Sequence, residues 1–333
     1  MKAKIDEIEK QLTQGAERFV SAEEAAYFAR LMMEAHLRKF PKMNPLEEAV
    51  TDLKVWQDAK EREISLDADR ESILLTDFNG LAGDLKLKYI HDEAERRSRK
   101  NGVAVVGIRN TSGLITLTPW SFGLAERDCI AICSYNGGVR CGVPYGGTRG
   151  FFGTLPLTYA IPGKTGPIIF DMATTEIPYF QIPNSKKEGK SLPEGSVLDK
   201  DGKPTTDPNA TTIDDTTVNM LPMGGGIKGY GLMFLLEVLT GSLVRSLMSM
   251  EQTPGWNPAE YGGIIIALNV ESFTGLEGFK DDLAGLVQAL KSQTPAEGFT
   301  EVPIPGDRGG RKAEEARKAG EIEVKEEVRS EER

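Results

Sequence analysis

Histidine is almost missing from this chain of 333 residues, which holds only His36 and His91, far apart in sequence. Cysteine is also scarce. Cys129, Cys133 and Cys141 are an odd number in a long chain, which suits reduced, buried thiols better than a disulfide framework. Their C-x3-C-x7-C spacing finds no fourth ligand nearby, so no metal site is expected. Basic residues are outnumbered, 40 Lys and Arg against 50 Asp and Glu, and the net charge of −10 works against the counterion displacement that nucleic-acid binding relies on. Nucleic acid is not an expected partner. No hydrophobic run is long enough to span a bilayer: the longest, Gly231 to Leu247, is interrupted by Glu237 and Arg245. Met1 to Gln11 alternates charged and apolar residues and lacks the apolar core of a secretion signal, so the chain reads as cytoplasmic with no membrane partner. No internal repeat is visible.

What is present is the composition of a soluble globular body, 39% hydrophobic and 27% charged, long enough for two lobes. Residues 1–100 read as an N-terminal helical segment. Ser21 and Glu24 form a capping box, and Ala25, Phe28, Met32 and Ala35 share one helix face up to about Arg38. A proline-bracketed loop, residues 40–45, separates it from a second polar helix expected from Leu46 to Ala59. A further helix is expected from Leu81 to Lys100, with Leu85, Tyr89 and Ala94 inward and Glu93, Arg96, Arg97 and Arg99 outward.

Near residue 102 the texture changes, and residues 101–225 read as a β-rich lobe. Val103 to Ile108, Ile130 to Tyr135, Leu155 to Ile161 and Pro167 to Met172 are short runs rich in β-branched residues. Ile182 to Asn219 is polar and turn-rich, and is expected to be mostly loop. Residues 226–310 read as a helix-strand segment packing with the N-terminal part: a largely buried helix from Lys228 to Leu247, a strand from Gly263 to Val270, and a surface helix from Leu276 to Lys291. Residues 311–333 are almost wholly charged, a solvated tail or a peripheral helix.

Several stretches in this order carry a resemblance. They are Ile108-Arg109-Asn110-Thr111, Pro144-Tyr145-Gly146-Gly147, Phe152-Gly153-Thr154-Leu155-Pro156 and Asp171-Met172-Ala173-Thr174-Thr175. Then come Leu192-Pro193-Glu194-Gly195, the run from Asp201-Gly202 to Asp207-Pro208, Leu221-Pro222-Met223-Gly224-Gly225, Lys228-Gly229-Tyr230-Gly231-Leu232 and Pro305-Gly306-Asp307. Together they resemble the type-2 malate/L-lactate dehydrogenase family, which includes ureidoglycolate and sulfolactate dehydrogenases, diketogulonate reductase and piperideine-2-carboxylate reductase. The resemblance runs from about residue 5 to residue 310. It implies an α/β, non-Rossmann mixed fold with a β-rich cofactor lobe, helices from both termini packed together, and a homodimer with active sites near the interface. The chain accordingly lacks a strand-to-helix G-x-G-x-x-G unit followed by an acidic residue.

The resemblance also implies NAD or NADP as cofactor and a small-molecule substrate. Lys228, after three glycines and at a helix start, is a suitable cation for a diphosphate. Asn110, Thr111 and Ser112, then Asp171, Met172 and Ala173, match two strand-end segments that touch the cofactor in the family. Gly306 and Asp307 match a late segment that closes over it. Read without the resemblance, Asp171 is a turn-capping carboxylate and Gly306-Asp307 an ordinary turn.

Moving a hydride to or from a carbonyl carbon requires a proton carrier, and histidine is the usual one. The family's Ser-His-Gly triplet falls here on Lys42, Met43 and Asn44, and the arginine four positions beyond that histidine falls on Glu47. The second histidine region becomes Ser112-Gly113. An acidic relay residue of the imine-reducing members aligns with Gln181, while Thr154 keeps a substrate-contacting position. No metal is implied. His36 lies on the helix before the loop, the nearest imidazole to the expected cleft, and His91, on a polar helix, is expected to be solvated.

Three readings stand side by side. In the first, the chain is an active oxidoreductase with an altered substrate: an iminium ion already carries its proton, Glu47 pairs with cationic substrate, and Lys42 or Tyr179 serves as proton relay. In the second, the fold and the dinucleotide are kept for binding or regulation. In the third, the cofactor serves a non-redox reaction. Lys42, Met43 and Glu47 also fit a surface loop with no chemical duty.

Overall fold

The computed structural model describes residues 2–39, 45, 46, 49, 62–112, 115–214, 217–253 and 260–324. Strand β1 (Lys2–Lys4) leads into helices α1 (Ile5–Ala16) and α2 (Ala22–Arg38). The Ser21 hydroxyl accepts from the Glu24 amide and the Glu24 carboxylate accepts from the Ser21 amide, so the capping box sets the start of α2 as its sequence indicates. Next come β2 (Ser65–Asp69), β3 (Ile73–Asp77), a 3-10 turn at Gly83–Lys86, α3 (Leu87–Asn101) and β4 (Val103–Thr111). Then α4 (Thr118–Ala125), β5 (Cys129–Tyr135), β6 (Arg140–Gly142), β7 (Leu157–Ile161) and β8 (Ile168–Met172) follow.

The chain continues through α5 (Gln181–Glu188), β9 (Val197–Leu198), β10 (Pro204–Thr205), β11 (Thr212–Asp214) and β12 (Thr217–Met220). After α6 (Ile227–Glu237) and a π-helical turn at Val238–Ser242 come β13 (Tyr261–Asn269), α7 (Val270–Thr274), α8 (Leu276–Lys291), α9 (Asp307–Ala319) and β14 (Glu321–Glu323).

The seven-stranded sheet runs β2-β3-β4-β13-β5-β7-β8, antiparallel except where β3 lies parallel to β4. Its face carrying Ala104, Val106 and Ile108 packs under α3 and α4, with α2 laid against those helices, and this layer holds the main core. The expected strands near 103–108, 130–135 and 168–172 are all present. Two upstream strands, β2 and β3, were not signalled, because Ser65–Asp69 is a largely exposed edge with no clean alternation.

Three other expectations are corrected. The polar stretch from Ile182 to Asn219 contains a helix and most of a second sheet, ordered β10-β9-β12-β11, with β6 pairing parallel to β12. The helix beginning near Lys228 is not largely buried: Ile227, Phe234, Leu235 and Val238 are exposed, and so is Leu243 beyond it. Arg97 is buried at 3% exposure, because its guanidinium turns back to the Asp69 carboxylate and the Arg70 carbonyl. The charged C-terminal segment takes the second of its two expected forms, a peripheral helix, as far as it is described. α9 packs on α2 through buried Ala313 and an Arg317–Glu34 ion pair, and β14 pairs antiparallel with β1. The helices of both termini therefore pack together as expected. The polar helix expected from Leu46 to Ala59 lies largely outside the described residues; Leu46 and Ala49 are buried.

Among the described residues no helix is long and apolar enough to cross a membrane, and no group of His, Cys, Asp and Glu is placed to hold a metal. The three cysteines are buried and unpaired. Burial pushes the Cys141 thiol up to about 12 and Cys133 higher still, which leaves both protonated and inert.

Candidate functional site

Six of the sequence-predicted cofactor residues lie at the ends of β4 and β8, Lys228 at the start of α6, and Gly306 and Asp307 at the start of α9. At the end of β4, Asn110 takes a positive φ of 52°, which an asparagine tolerates, and its side-chain amide donates to Asp77 Oδ2 at 2.8 Å. Its carbonyl accepts from the Gly80 amide at 2.7 Å. Thr111 donates its hydroxyl to the Leu81 carbonyl at 3.0 Å, and the Ser112 amide donates to the same oxygen at 3.2 Å. The turn after β3 thus grips three consecutive site positions. Ser112 Oγ is buried with no hydrogen-bond partner, a polar atom that a ligand hydroxyl or phosphate oxygen could satisfy.

On β8, Asp171 is partly buried and its Oδ2 accepts from the hydroxyls of Thr118 at 2.8 Å and Thr116 at 3.3 Å. Burial raises its pKa, against these hydroxyl bonds, which lower it. Met172 and Ala173 follow, and Thr174 ties them to the next loop: its hydroxyl donates to the carbonyls of Thr154 and Leu155 at 2.9 and 3.0 Å. The Thr174 carbonyl accepts from the Met223 amide at 2.8 Å, and Thr175 bridges Pro222. Thr154 is therefore one hydrogen bond from the β8 end, and the glycine turn before Lys228 is another.

That turn is built for a close approach. Gly224 and Gly225 have positive φ, 69° and 62°, with open space where a Cβ would stand. Gly226 caps α6 with no side-chain hydrogen bond, so the first-turn amides of α6 face outward beside the exposed Lys228. Glu176 Oε2 accepts from the Gly224 amide at 2.5 Å, so a carboxylate already stands at the turn that leads into these donors.

Gly306 caps α9 at a φ of 84°, against the Ile169 backbone of β8, where a Cβ would sit 2.5 Å from the carbonyl oxygen. The Asp307 carboxylate accepts from the Ile304 amide at 3.1 Å and pairs with Lys291. The Gly306-Asp307 turn therefore abuts the strand that carries Asp171. Tyr179 packs on the small-sheet cluster that contains Cys141 and Ile177, and burial raises its phenol. Lys42, Met43, Asn44, Glu47 and Gly113 lie outside the described residues.

His36 lies on α2, the helix before the loop, as expected, whereas His91 sits differently from expectation. His91 is fully buried, not solvated: Nε2 meets the Trp120 carbonyl at 3.0 Å and Nδ1 the Tyr27 hydroxyl at 2.8 Å. His36 is buried too, with Nδ1 unpartnered. Burial lowers each imidazole to about 3, with Arg127 adding for His91 and Lys39 for His36, so both are neutral at ordinary pH. Sequence reasoning also missed Asp84, which is fully buried beneath this region. No periodicity marks it, because its partners Trp120 and Ile115 come from a later segment.

A family profile described as malate/L-lactate dehydrogenase matches residues 4–331. Ureidoglycolate dehydrogenase (NAD(+)) of Escherichia coli (strain K12) is 33% identical over 257 residues, 74% of this chain and 70% of that protein. The Delta(1)-pyrroline-2-carboxylate/Delta(1)-piperideine-2-carboxylate reductase of Pseudomonas putida is 33% identical over 229 residues, 67% of this chain and 64% of the other. Sulfolactate dehydrogenase from Methanocaldococcus jannaschii superposes with a TM-score of 0.86 at 28% identity, covering 98% of this chain and 94% of that one.

Proposed function

The chain belongs to the malate/L-lactate dehydrogenase family, and from that membership we propose that it is an NAD(P)-dependent dehydrogenase or reductase acting on a small carbonyl or imine compound, with a proton donor other than the family's histidine. The observation that carries this reading is the linkage of the Asp171 strand end to Thr154 and to the Gly224–Gly226 turn through the bonds of Thr174, with Gly306 packed on the same strand and the Ser112 end of β4 separated from it by three strands of the same sheet. Similarity to a dehydrogenase named for NAD(+) and to reductases of cyclic imines supports the cofactor class and the range of substrates.

The residues present fit a dinucleotide. The uncapped first turn of α6 and Lys228 would face a diphosphate, and the orphaned Ser112 hydroxyl, Asn110, Thr111 and the segment Asp171, Met172 and Ala173 would hold the rest, with Gly306 and Asp307 closing the far side. Bound there, NAD or NADP supplies or accepts the hydride. Thr154 contacts the substrate. Tyr179, whose raised phenol keeps its proton at neutral pH, and Lys42 are the proposed proton donors, and Glu47 the partner of a cationic substrate. The exposed apolar face of Ile227, Phe234, Leu235 and Val238 supports a homodimer, and we read the enzyme as cytoplasmic.

The test follows loss of reduced nicotinamide absorbance from NADH and NADPH with a panel of 2-oxo acids and cyclic imines. Turnover with one class is the expected result. Tight dinucleotide binding without turnover would instead favour a binding module, and no binding of either dinucleotide at millimolar levels would remove the cofactor site.

A further inference from the structure

Asp84 lies in the 3-10 turn before α3, fully buried. Its two oxygens accept from one later segment: Oδ1 from the Trp120 indole N–H at 2.7 Å, and Oδ2 from the Ile115 backbone N–H at 2.9 Å. That segment also supplies the two hydroxyls, Thr116 and Thr118, that hold Asp171. Trp120 is fixed a second time, by His91 on its carbonyl. The span from Ile115 to Trp120 is thus bonded to one buried carboxylate beneath it and presents its threonines to another at the end of β8.

We propose that Asp84 is a positioning residue for dinucleotide binding: through Ile115 and Trp120 it sets the segment so that Thr116 and Thr118 hold Asp171 in place at the cofactor strand end. This rests on the NAD(P) reading above. The position needs an ionised carboxylate. Two N–H donors converge on it, and a carboxyl or carboxamide group turns a donor toward one of them, so that one bond is lost.

Burial without a cation raises the Asp84 carboxyl to about 6, against the lowering effect of the Ile115 and Trp120 bonds, so the double acceptor is complete at neutral pH and is lost as pH falls through that value. The charged and titratable groups close to it along the turn and the start of α3 are already partnered or neutral. Lys86 of the same turn is paired with Glu24 of α2; Lys88 of α3 is paired with Glu23 and Asp92; His91 of α3 is held neutral. Asp171 of β8, across Thr116, is the one other carboxyl near the segment with a raised pKa among the described residues. Substitution at Asp84 separates the two.

The experiment is calorimetric titration of the full chain with NAD and with NADP between about pH 8 and about pH 5.5. For whichever dinucleotide binds, affinity is expected to weaken about tenfold across that range, the scale of one hydrogen bond to a charged group. Asp84→Asn is expected to show the weakened affinity already at the alkaline end, with a flatter pH profile. Trp120→Phe deletes one donor, disfavours the carboxylate further and moves the inflection to higher pH, an outcome that loss of packing alone does not give; it also serves if Asp84→Asn fails to fold. Wild-type affinity and profile in Asp84→Asn, or an unmoved inflection in Trp120→Phe, overturns the positioning role. A wild-type chain that binds neither dinucleotide overturns the cofactor reading itself, and the role of Asp84 with it.

Discussion

His91 Nε2 stands 3.0 Å from the carbonyl oxygen of Trp120, and that single contact fixes the imidazole tautomer. A carbonyl can only accept, so Nε2 carries the hydrogen and Nδ1 accepts from the Tyr27 hydroxyl. The ring is thereby committed at both nitrogens inside the core, bridging α2, α3 and α4. It has no free nitrogen with which to carry a substrate proton.

The packing around that ring depends on Gly123 having no side chain. A Cβ there would stand 2.5 Å from His91 Cε1 and Nδ1 and 2.8 Å from the Tyr27 hydroxyl oxygen. Gly123→Ala is expected to destabilise the fold by about 1–3 kcal/mol through overpacking, despite the better helix propensity of alanine. Urea unfolding checks this, and a His91→Ala background should recover part of the loss.

His91 also sets an acid limit. Its pKa falls from 6.5 in the unfolded chain to about 3 in the folded one, so below about 6.5 the unfolded state binds the extra proton and stability is lost as pH falls toward about 3. In a His91→Gln variant the carboxamide supplies both a donor and an acceptor and does not titrate. Stability of that variant should fall less steeply on acidification than the wild type's, by one proton or about 1.4 kcal/mol per pH unit in that window. Parallel urea titrations at several pH values test this, and equal slopes would sink it.

Asn110 combines a left-handed backbone with a side-chain bond to Asp77. Asn110→Gly keeps the first and loses the second; Asn110→Ala loses the bond and adds backbone strain. The alanine variant is expected to be the less stable of the two, by about 1 kcal/mol, and both should weaken dinucleotide binding. Thermal melts and calorimetry give the ranking.

Lys228 and Glu176 flank the glycine turn with opposite charge. If an anionic diphosphate sits there, Lys228→Ala should weaken dinucleotide affinity about fivefold and Glu176→Gln should strengthen it, with little change in melting temperature at the exposed lysine. Calorimetric titration of both variants at fixed salt reads the signs. The same sign in both would place the diphosphate elsewhere.

Glu47 stands where the resemblance expects an arginine that holds a substrate carboxylate. Glu47→Arg is expected to shift turnover from cationic imines toward anionic 2-oxo acids. An unchanged ranking of kcat/KM across the substrate panel would take Glu47 out of the site.

The amino-acid sequence by itself determined the local pieces: the capping box at Ser21 and Glu24, the β-branched runs that become β4, β5 and β8, and the collinear glycine and proline motifs that mark the family. Those signals are short-range, carried by neighbours a few residues apart. The tertiary structure alone decided that His91 and Arg97 are buried, that β2 and β3 join the sheet, and that Asp84 lies beneath the Ile115–Trp120 segment. In each case the deciding partner arrives from a distant part of the chain. A helix face that is polar by periodicity becomes interior once another element brings a carbonyl, a hydroxyl or a carboxylate to satisfy it.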